Sequence, residues 1–174
     1  MARFAPLGAL CALACVVSAG AASASAPRIG PDSGKLVPRF ESLRYGEVNA
    51  RQGPSLGHRI LWTYHRRGLP VQIVAESGSW RRVRDPDGDL AWVSSGALDD
   101  RRMAFVAAPT ALTLRKDPFT TARPVAFLTP GVVGELVGCQ AGWRALKVAG
   151  RQGWAPSGAL WGAEACAPAT PSIP

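Results

Sequence analysis

The chain contains one seven-residue pattern twice, as WVSSGAL at 92–98 and as WAPSGAL at 154–160. The two copies start 62 residues apart, and other matched positions precede them, such as Trp80 and Trp143. Towards the N-terminus of each copy, the number of residues between matched positions increases by one at a time, and each increase falls in a turn-like connection. Insertions confined to connections are typical of two copies of one fold. The repeat therefore predicts two similar domains rather than one continuous domain.

The segments between the turns are short, which is typical of an all-β fold. In the first copy, 71–75, 80–84 and 89–93 are bounded by turn residues, and Asp87-Gly88 is a strong hairpin signal. The second copy repeats this plan at 132–139, 143–148 and 152–155. No long apolar stripe of helical period is present. The pattern predicts two small barrels or sandwiches, and the short connector at 99–103 predicts that they pack against each other.

The matched tryptophans predict how domains this small could be stabilised. Burying one indole removes roughly 200 Å² from water, which is worth several kcal/mol. In each copy Ser-Gly-Ala-Leu follows the tryptophan as a tight turn that returns its leucine to the core. We expect the structural core to include Trp80, Trp92, Leu98, Trp143, Trp154 and Leu160. The alternative is that the rings form a ligand platform.

The N-terminus has the order of a secretory signal peptide. Arg3 precedes a short apolar run, and Ala22-Ser23-Ala24 is a small-residue cleavage site. A membrane-tethered or buried helix is the alternative, although the run is short for a membrane span. We expect a periplasmic protein with this organisation: a signal peptide at 1–24, a flexible leader at 25–39, domains at 40–100 and 101–163, and a disordered tail at 164–174.

Export changes how the cysteines and the charge are interpreted. Cleavage would remove two of the four cysteines, so that Cys139 and Cys166 remain as a candidate disulfide, with two free thiols as the alternative. Such a bond would stabilise the fold by roughly 3 kcal/mol. The net charge of +8 falls to +7 on cleavage, because Arg3 is the only charged residue of 1–24. Outside the inner membrane this charge indicates anionic envelope partners rather than nucleic acid, or a soluble surface.

Four stretches of the first copy resemble the bacterial SH3-like (SH3b) domain. They are Asn49-Ala50-Arg51-Gln52-Gly53-Pro54-Ser55, Arg66-Arg67-Gly68-Leu69-Pro70-Val71, Ser79-Trp80-Arg81-Arg82-Val83, and Trp92-Val93 before Leu98. The chain is similar to exported tandem bacterial SH3 proteins, especially those of alphaproteobacteria, whose second copy typically ends like Ala159-Leu160-Trp161-Gly162. The resemblance implies two tandem small SH3-like β-barrels over roughly 40–162. The second copy lacks the Asn and Gly of the first motif, so its turn is expected to differ.

The resemblance also implies a binding role. Bacterial SH3-like domains commonly bring a partner to peptidoglycan or to another envelope protein, and carboxylates of wall peptide stems can pair with arginine. The candidate ligand residues lie in the first copy: Trp62, Tyr64, Arg66, Arg67, Arg81 and Arg82. Alternatively, Trp62 and Tyr64 cover the junction between the domains. A scaffold for envelope proteins and an accessory or cryptic cell-wall hydrolase remain as alternative functions.

Catalytic and metal-binding patterns are weak. His58 and His65 are the only histidines, and no third ligand is spaced to complete a zinc site. The acidic stretch at 85–89 resembles a calcium loop, but its glycine is misplaced and no bidentate Glu follows. Ser94-Ser95-Gly96 is not a nucleophile elbow. We therefore expect a protein that is not an enzyme and that uses no cofactor or metal.

Overall fold

The computed structural model describes residues 26–164, and this part of the chain is all-β, as predicted. The signal peptide predicted at 1–24 and nearly all of the tail predicted at 164–174 lie outside the described residues. An N-terminal hairpin comes first, and two seven-stranded sheets follow it. None of the helices in the described part is long and apolar enough to cross a membrane.

The strands fall into three groups along the chain. The hairpin consists of β1 (Arg28–Ile29) and β2 (Leu36–Val37). The first domain contains β3 (Arg39–Leu43), β4 (Val48–Arg51), β5 (Ile60–Tyr64), β6 (Pro70–Ser77), β7 (Trp80–Arg84), β8 (Leu90–Ser94) and β9 (Leu98–Asp99). The second domain contains β10 (Met103–Val106), β11 (Leu112–Arg115), β12 (Pro124–Leu128), β13 (Val133–Gln140), β14 (Trp143–Val148), β15 (Arg151–Pro156) and β16 (Leu160–Trp161).

The two sheets have the same topology. Their strand orders are β5-β4-β8-β7-β6-β3-β9 and β12-β11-β15-β14-β13-β10-β16, and neighbouring strands in both sheets are antiparallel. Even the irregularities match, since the register shifts between Ala50 and Arg51 in the first domain and between Leu114 and Arg115 in the second. A bulge at the same place bends the same strand in both copies. The predicted duplication is therefore a duplication of strand pairing as well as of sequence.

The repeated sequence pattern forms the same local structure in both domains. Its Ser-Gly-Ala segment is a single-turn 3-10 helix, at Ser95–Ala97 and at Ser157–Ala159. The leucine that follows begins the last strand, and Leu98 and Leu160 are only 2% and 7% exposed. The turn thus carries the chain from one strand into another while burying a side chain.

Aliphatic side chains of alternating strand positions form the two cores. The first core centres on Leu43, Ile73 and Val83, and the second on Leu114 and Leu146. Each of these side chains contributes about 1.5–3 kcal/mol when it leaves water. Because successive strand residues point to opposite faces, each strand leaves its other face free for polar or aromatic residues.

The tryptophans predicted for the cores occupy that other face. Trp80, Trp92, Trp143 and Trp154 are only half-buried, and none belongs to either core cluster. The reason is strand alternation: Ala91 and Val93 are buried, so Trp92 between them must point away from the core. The expectation of tryptophan-anchored cores is therefore corrected, and the rings cover the outer surface of each sheet.

The segment expected to be a flexible leader at 25–39 is instead ordered within the described residues. Strands β1 and β2 pair, and Val37 is 1% exposed within the first core. Backbone N–H groups of Asp32 and Ser33 donate to Glu76 of β6 at 3.1 and 3.0 Å. The buried carboxylate of Glu76 accepts these hydrogen bonds and thereby holds the segment in place. The Gly and Pro content of residues 25–39 predicted flexibility because it gives no sign of this distant acceptor.

The two domains contact each other through the end of the second copy. The Trp161 indole N–H donates to the carbonyl of Pro70 at 3.3 Å, and its ring packs edge-on against Phe40 with centroids 5.2 Å apart. Gly162 follows with φ +87°, and a Cβ there would lie 2.7 Å from the Met103 carbonyl oxygen. The Ala-Leu-Trp-Gly ending therefore forms the junction between the domains.

Candidate functional site

The Arg of the N-x-R-x-G-P motif holds the loop that follows β4. Arg51 donates from Nη1 to the carbonyls of Leu56 and His58 at 3.1 and 2.8 Å. In the second domain, Arg115 donates in the same way to the Ala122 carbonyl at 2.7 Å. In both cases Nη1 of the guanidinium group donates to backbone carbonyls of the loop. The motif is therefore structural, and these two arginines are not candidates for ligand binding.

The turn expected to differ in the second domain has the same backbone hydrogen bonds as the first. The Ser55 N–H donates to the Gly53 carbonyl at 3.0 Å, and the Phe119 N–H donates to the Asp117 backbone carbonyl at 2.9 Å. A Cβ at Gly53 would lie 2.4 Å from the His58 ring. The second domain has Ala122 where the first has His58, so a Cβ at residue 117 meets no imidazole. The small Ala122 at the position of His58 leaves room for Asp117 at the position of Gly53. The expectation that the turn of the second domain differs is therefore corrected.

Tyr64, predicted to bind a ligand, is a buried structural residue. It is 8% exposed, and its hydroxyl donates to Asp85 Oδ2 at 3.1 Å. Burial raises the pKa of Tyr64, and the adjacent Asp85 carboxylate raises it further. The other oxygen of Asp85 accepts the N–H groups of Asp87 and Asp89 at 3.1 and 2.9 Å. The acidic stretch is thus a turn capped by its own first carboxylate.

Arg81, another predicted ligand residue, belongs to a buried ion cluster. It is 8% exposed and lies 3.5 Å from Glu76 Oε1, which Arg39 also contacts at 2.8 Å. The Ser33 hydroxyl of the N-terminal hairpin donates to the same oxygen at 2.6 Å. A Cβ at Gly30 would collide with this carboxylate at 2.5 Å, so only glycine allows the hairpin to approach. The cluster fastens the hairpin to the first sheet.

The protonation of Glu76 follows from these contacts. Burial by itself would raise its pKa, but hydrogen bonds from Ser33 and Arg39, with the Asp32 N–H, lower the pKa from its ordinary value of 4.5 to about 2. The carboxylate is therefore ionised at neutral pH, and it contacts the guanidinium groups of Arg39 at 2.8 Å and of Arg81 at 3.5 Å. Arg81 has its charge partner inside the protein, which corrects its assignment as a ligand residue.

The structure separates the remaining predicted ligand residues. Arg66 is exposed and donates to the Gly131 carbonyl of the second domain, so it contributes to the junction. Trp62 is half-buried against the first core and packs edge-on against Tyr64, with centroids 5.9 Å apart. Arg67 and Arg82 are exposed. The six residues therefore form no single groove.

One surface of the first domain does combine basic and aromatic side chains. Trp92 and Arg82 are directly opposite each other on β8 and β7, so their side chains share the outer face of the sheet. Trp80 and Arg84 follow Arg82 on that face by strand alternation. Both arginines are exposed and both rings are half-buried. We call Trp80, Arg82, Arg84 and Trp92 the Trp92 face.

The equivalent surface of the second domain is less basic. Trp154 is opposite Ala145, which is 2% exposed, and a Cβ at Gly138 would lie 3.6 Å from its ring. The ring therefore packs over small residues, and Ala145 stands where the first domain has Arg82. We call Trp143, Ala145, Lys147 and Trp154 the Trp154 face. Of the two surfaces, the Trp92 face is the stronger candidate for binding an anionic ligand.

The ligand residues predicted from the sequence include Arg82 but none of the other three residues of this face. The signal was available, because in Trp80-Arg81-Arg82-Val83-Arg84 an inward Val83 requires Trp80, Arg82 and Arg84 to point outward together. The assumption that matched tryptophans must be core residues hid this pattern. Glu76, which contacts Arg81 of this strand, was not identified either, because it lies on a different strand.

Two further predictions concern metals and the disulfide. Within residues 26–164, no group of three or more His, Cys, Asp and Glu side chains is placed to hold a metal ion. Cys139 lies on β13, but Cys166 is outside the described residues. The pairing of these cysteines therefore stays a prediction.

Comparison with known families bears out the resemblance to a tandem of bacterial SH3 domains. The family model for the bacterial SH3 domain matches the chain twice, at residues 44–100 and 108–162. The matches coincide with the two sheets and include the Trp92 face in the first and the Trp154 face in the second. No curated protein sequence matches the chain.

Solved structures similar to this chain include two proteins of Trichomonas vaginalis. NlpC2 is 16% identical with a TM-score of 0.33, over 71% of this chain and 48% of that one. NlpC1 is also 16% identical with a TM-score of 0.33, over 76% and 48%. The chain thus spans about half the length of each, and at this TM-score the likeness carries no inference about activity.

Proposed function

Because the chain belongs to the bacterial SH3 domain family, we propose that it is a non-catalytic, exported binding module of the cell envelope. Its ligand in this proposal is peptidoglycan or the peptide stems of peptidoglycan. Bacterial SH3 domains are commonly cell-wall binding modules, and in this proposal the first of the two domains makes the contact with the wall.

The Trp92 face is the observation that carries the proposal. Exposed guanidinium groups of Arg82 and Arg84 can each pair with a carboxylate through two parallel hydrogen bonds. The half-buried rings of Trp80 and Trp92 beside them offer apolar surface with a polar edge, which suits sugar rings and short side chains. Peptidoglycan presents both chemistries, since its glycan strands carry peptide stems that bear carboxylates.

The choice of ligand also depends on the proposed export, which needs its own test. The proposal takes 1–24 as a signal peptide, which would bring the domains to the compartment that contains peptidoglycan. We expect the chain recovered from the periplasm to begin at Ser25, as measured by the mass of the intact protein. A periplasmic fraction without the protein, or a chain that retains residue 1, would contradict this part of the proposal.

Sedimentation with purified peptidoglycan tests the binding site. The double variant R82Q/R84Q removes two charges from the Trp92 face, and we expect its affinity to fall at least about tenfold at low salt. The matched control K116Q/K147Q removes two exposed charges from the second domain and should bind as the unaltered protein does. Equal retention of both variants would show that the Trp92 face is not the site.

Zymography tests the non-catalytic part of the proposal. A gel containing peptidoglycan should show no cleared band at the position of the protein, whereas a hydrolase of known activity in the next lane should clear it. A cleared band that persists after repurification would replace the binding-module proposal with the hydrolase alternative.

A role as an envelope protein scaffold is the second candidate, and one surface favours it. Edge strand β12 and the turn before β15 form an open groove of about 510 Å³ whose lining is apolar except for Arg151, and Phe127 in it is 70% exposed. An exposed edge strand can pair with an extended segment of another protein. Cross-linking in the envelope through position 127 should recover one reproducible protein partner if this candidate holds, and no protein if the wall is the sole ligand.

A further inference from the structure

A buried arginine of the second domain has donors without acceptors. Arg144 on β14 is 3% exposed, and its Nε and Nη2 atoms are buried with no hydrogen-bond partner. Buried guanidinium groups are normally paired, because removing a charge from water costs several kcal/mol. Unsatisfied donors of this kind indicate a group that the described residues do not supply.

The first domain shows which group fits such a place. Strand registers make Arg144 the equivalent of Arg81, because Arg81 is opposite Glu76 while Arg144 is opposite Cys139. In the first domain the carboxylate of Glu76 contacts Arg81. The second domain therefore keeps the arginine but has Cys139 where the acid stands.

The second arginine of the first-domain cluster is also duplicated. Arg39 is opposite Ile73 of β6, and the carbonyl of Arg102 accepts the N–H of the equivalent Leu136 at 2.8 Å. In the first domain, Arg39 contacts Glu76 Oε1 at 2.8 Å. The pair Arg102 and Arg144 thus repeats the pair Arg39 and Arg81 around a position that lacks the carboxylate.

Open space adjoins the two arginines. A cavity of about 250 Å³ is lined by Arg102, Leu136, Val137, Gly138, Cys139 and Arg144. Its volume exceeds that of several water molecules, each of which takes about 30 Å³. A carboxylate with a few attached carbon atoms would therefore fit beside the guanidinium groups, with Leu136 and Val137 as apolar lining.

The local electrostatics favour an added negative charge. Burial lowers the pKa of Arg144, the positive charge of Arg102 lowers it further, and Glu164 acts in the opposite direction. Glu164 reaches Arg102 at 3.5 Å, with both side chains about half exposed, so this ion pair is weak. A carboxylate that contacts both arginines would relieve their repulsion and satisfy the buried donors.

We propose that Arg144 and Arg102 form a binding site for an organic carboxylate, such as the carboxyl terminus of a peptide. Arg144 supplies buried donors that orient the carboxylate, and Arg102 supplies a second charge at the rim. The site uses residues of the second domain that are separate from the Trp92 face. The inference therefore stands whether or not that face binds peptidoglycan.

Titration of the full chain with N-acetylglycine, followed by NMR of arginine Nε–H resonances, tests the proposal. We expect a saturable shift of the Arg144 resonance, assigned by its loss in R144M, and no shift with the neutral N-acetylglycinamide. R102Q should weaken binding several-fold, whereas R101Q, which alters the adjacent exposed arginine, should not. Equal shifts with acid and amide, no saturation up to 100 mM, or saturation by inorganic phosphate alone would overturn the proposal.

A substitution at Cys139 tests the same geometry without a ligand. C139E returns the acid to the position of Glu76, and C139S is the matched control because it also removes the sulfur atom of Cys139. We expect C139E to have a melting temperature about 4 °C or more above that of C139S and to lose N-acetylglycine binding, which C139S keeps. A C139E protein that melts at or below C139S, or that still binds the acid, would overturn the assignment.

Discussion

The two domains share their framework and differ in their polar side chains. Strand order, bulge positions and the 3-10 turn are the same in both, and so are the backbone hydrogen bonds of the loop after the second strand of each sheet. Buried aliphatic residues at alternating positions support this framework in each copy. Strand pairing and aliphatic burial are therefore the features of the fold that both copies share.

The differences are concentrated in groups that carry charge or hydrogen bonds. In the first domain, Glu76 contacts the arginine pair Arg39 and Arg81, and Tyr64 hydrogen-bonds to Asp85 of the turn. In the second domain, Cys139 occupies the position of Glu76 and Leu128 occupies the position of Tyr64. The first domain uses these positions for internal contacts, whereas the second domain leaves Nε and Nη2 of Arg144 without an acceptor. The two copies therefore have the same strand pairing and aliphatic core, but their polar side chains at equivalent positions have different roles.

The largest effect should come from Glu76, on which the first-domain cluster depends. E76Q leaves the buried Arg81 without its carboxylate and removes one of the two carboxylates that contact Arg39, the other being Glu41. We expect the free energy of unfolding to fall by about 3–5 kcal/mol. E135Q, an exposed acid on the equivalent strand of the second domain, should change it by less than about 0.5 kcal/mol. Urea denaturation measures both, and similar values for the two variants would contradict the contrast between the domains.

The pH dependence of stability should report the same cluster. Because folding lowers the pKa of Glu76 from 4.5 to about 2, the folded state binds fewer protons than the unfolded state in this range. The contribution of Glu76 is therefore present above pH 4.5 and lost as the pH falls towards 2. Denaturation curves from pH 6 to pH 2 should show a smaller loss of stability for E76Q than for the unaltered protein. Parallel curves would exclude the cluster as the cause.

The junction gives the next largest effect. G162A places a Cβ against the Met103 carbonyl at a residue with φ +87°, so we expect a loss of about 2–3 kcal/mol and separate melting of the two domains. G158A, where a Cβ meets nothing within 4 Å, is the control and should lose less than about 1 kcal/mol. Calorimetry distinguishes one transition from two, and one unchanged transition for G162A would mean that the domains do not depend on this contact.

Removal of the Tyr64 hydroxyl should have a moderate effect. Y64F leaves Asp85 with its two backbone donors but without the phenol, so we expect the free energy of unfolding to fall by about 1 kcal/mol. L128F, at the equivalent position of the second domain, tests ring size alone and involves no hydroxyl. A Y64F protein as stable as the unaltered one would show that the first domain gains nothing from this polar pair.

The smallest effect concerns the turn after β4. G53A should destabilise the first domain by about 1 kcal/mol or less, because the exposed His58 ring can move away from the new Cβ. In the double variant G53A/H58A, which reproduces the small residue at Ala122, the loss should disappear. A double-mutant cycle measures this coupling. Strictly additive effects would contradict the explanation of why the second domain does without the glycine.

The fold could be predicted from the sequence because the signals for it are local and repeated. The matched pattern at 92–98 and 154–160, together with turn residues at regular spacing, indicated short antiparallel strands, and most of their bounds fall within a residue or two of those observed. The prediction that the matched tryptophans belong to the core was wrong, because it considered the apolar area of the indole ring and not the alternation of side chains along the strand. Burial of Ala91 and Val93 on either side of Trp92 decides which face it occupies.

The polar clusters could not be predicted in the same way, because their partners are distant in sequence. Arg81 pairs with Glu76 across a hairpin, but Ser33 reaches the same carboxylate from 43 residues away, out of a segment expected to be flexible. The unsatisfied donors of Arg144 become evident only when both registers are known. A sequence shows which residues could pair, whereas the fold decides which of them are left to bind something else.

The most direct test of the central claim is a two-dimensional NMR titration of the ¹⁵N-labelled protein with a soluble peptidoglycan fragment that carries its peptide stem. The account predicts saturable shifts at Trp80, Arg82, Arg84 and Trp92, with none at Trp143, Lys147 and Trp154. Shifts confined to the Trp154 face, or no saturable shift at either face, would contradict the claim that the first domain binds the wall.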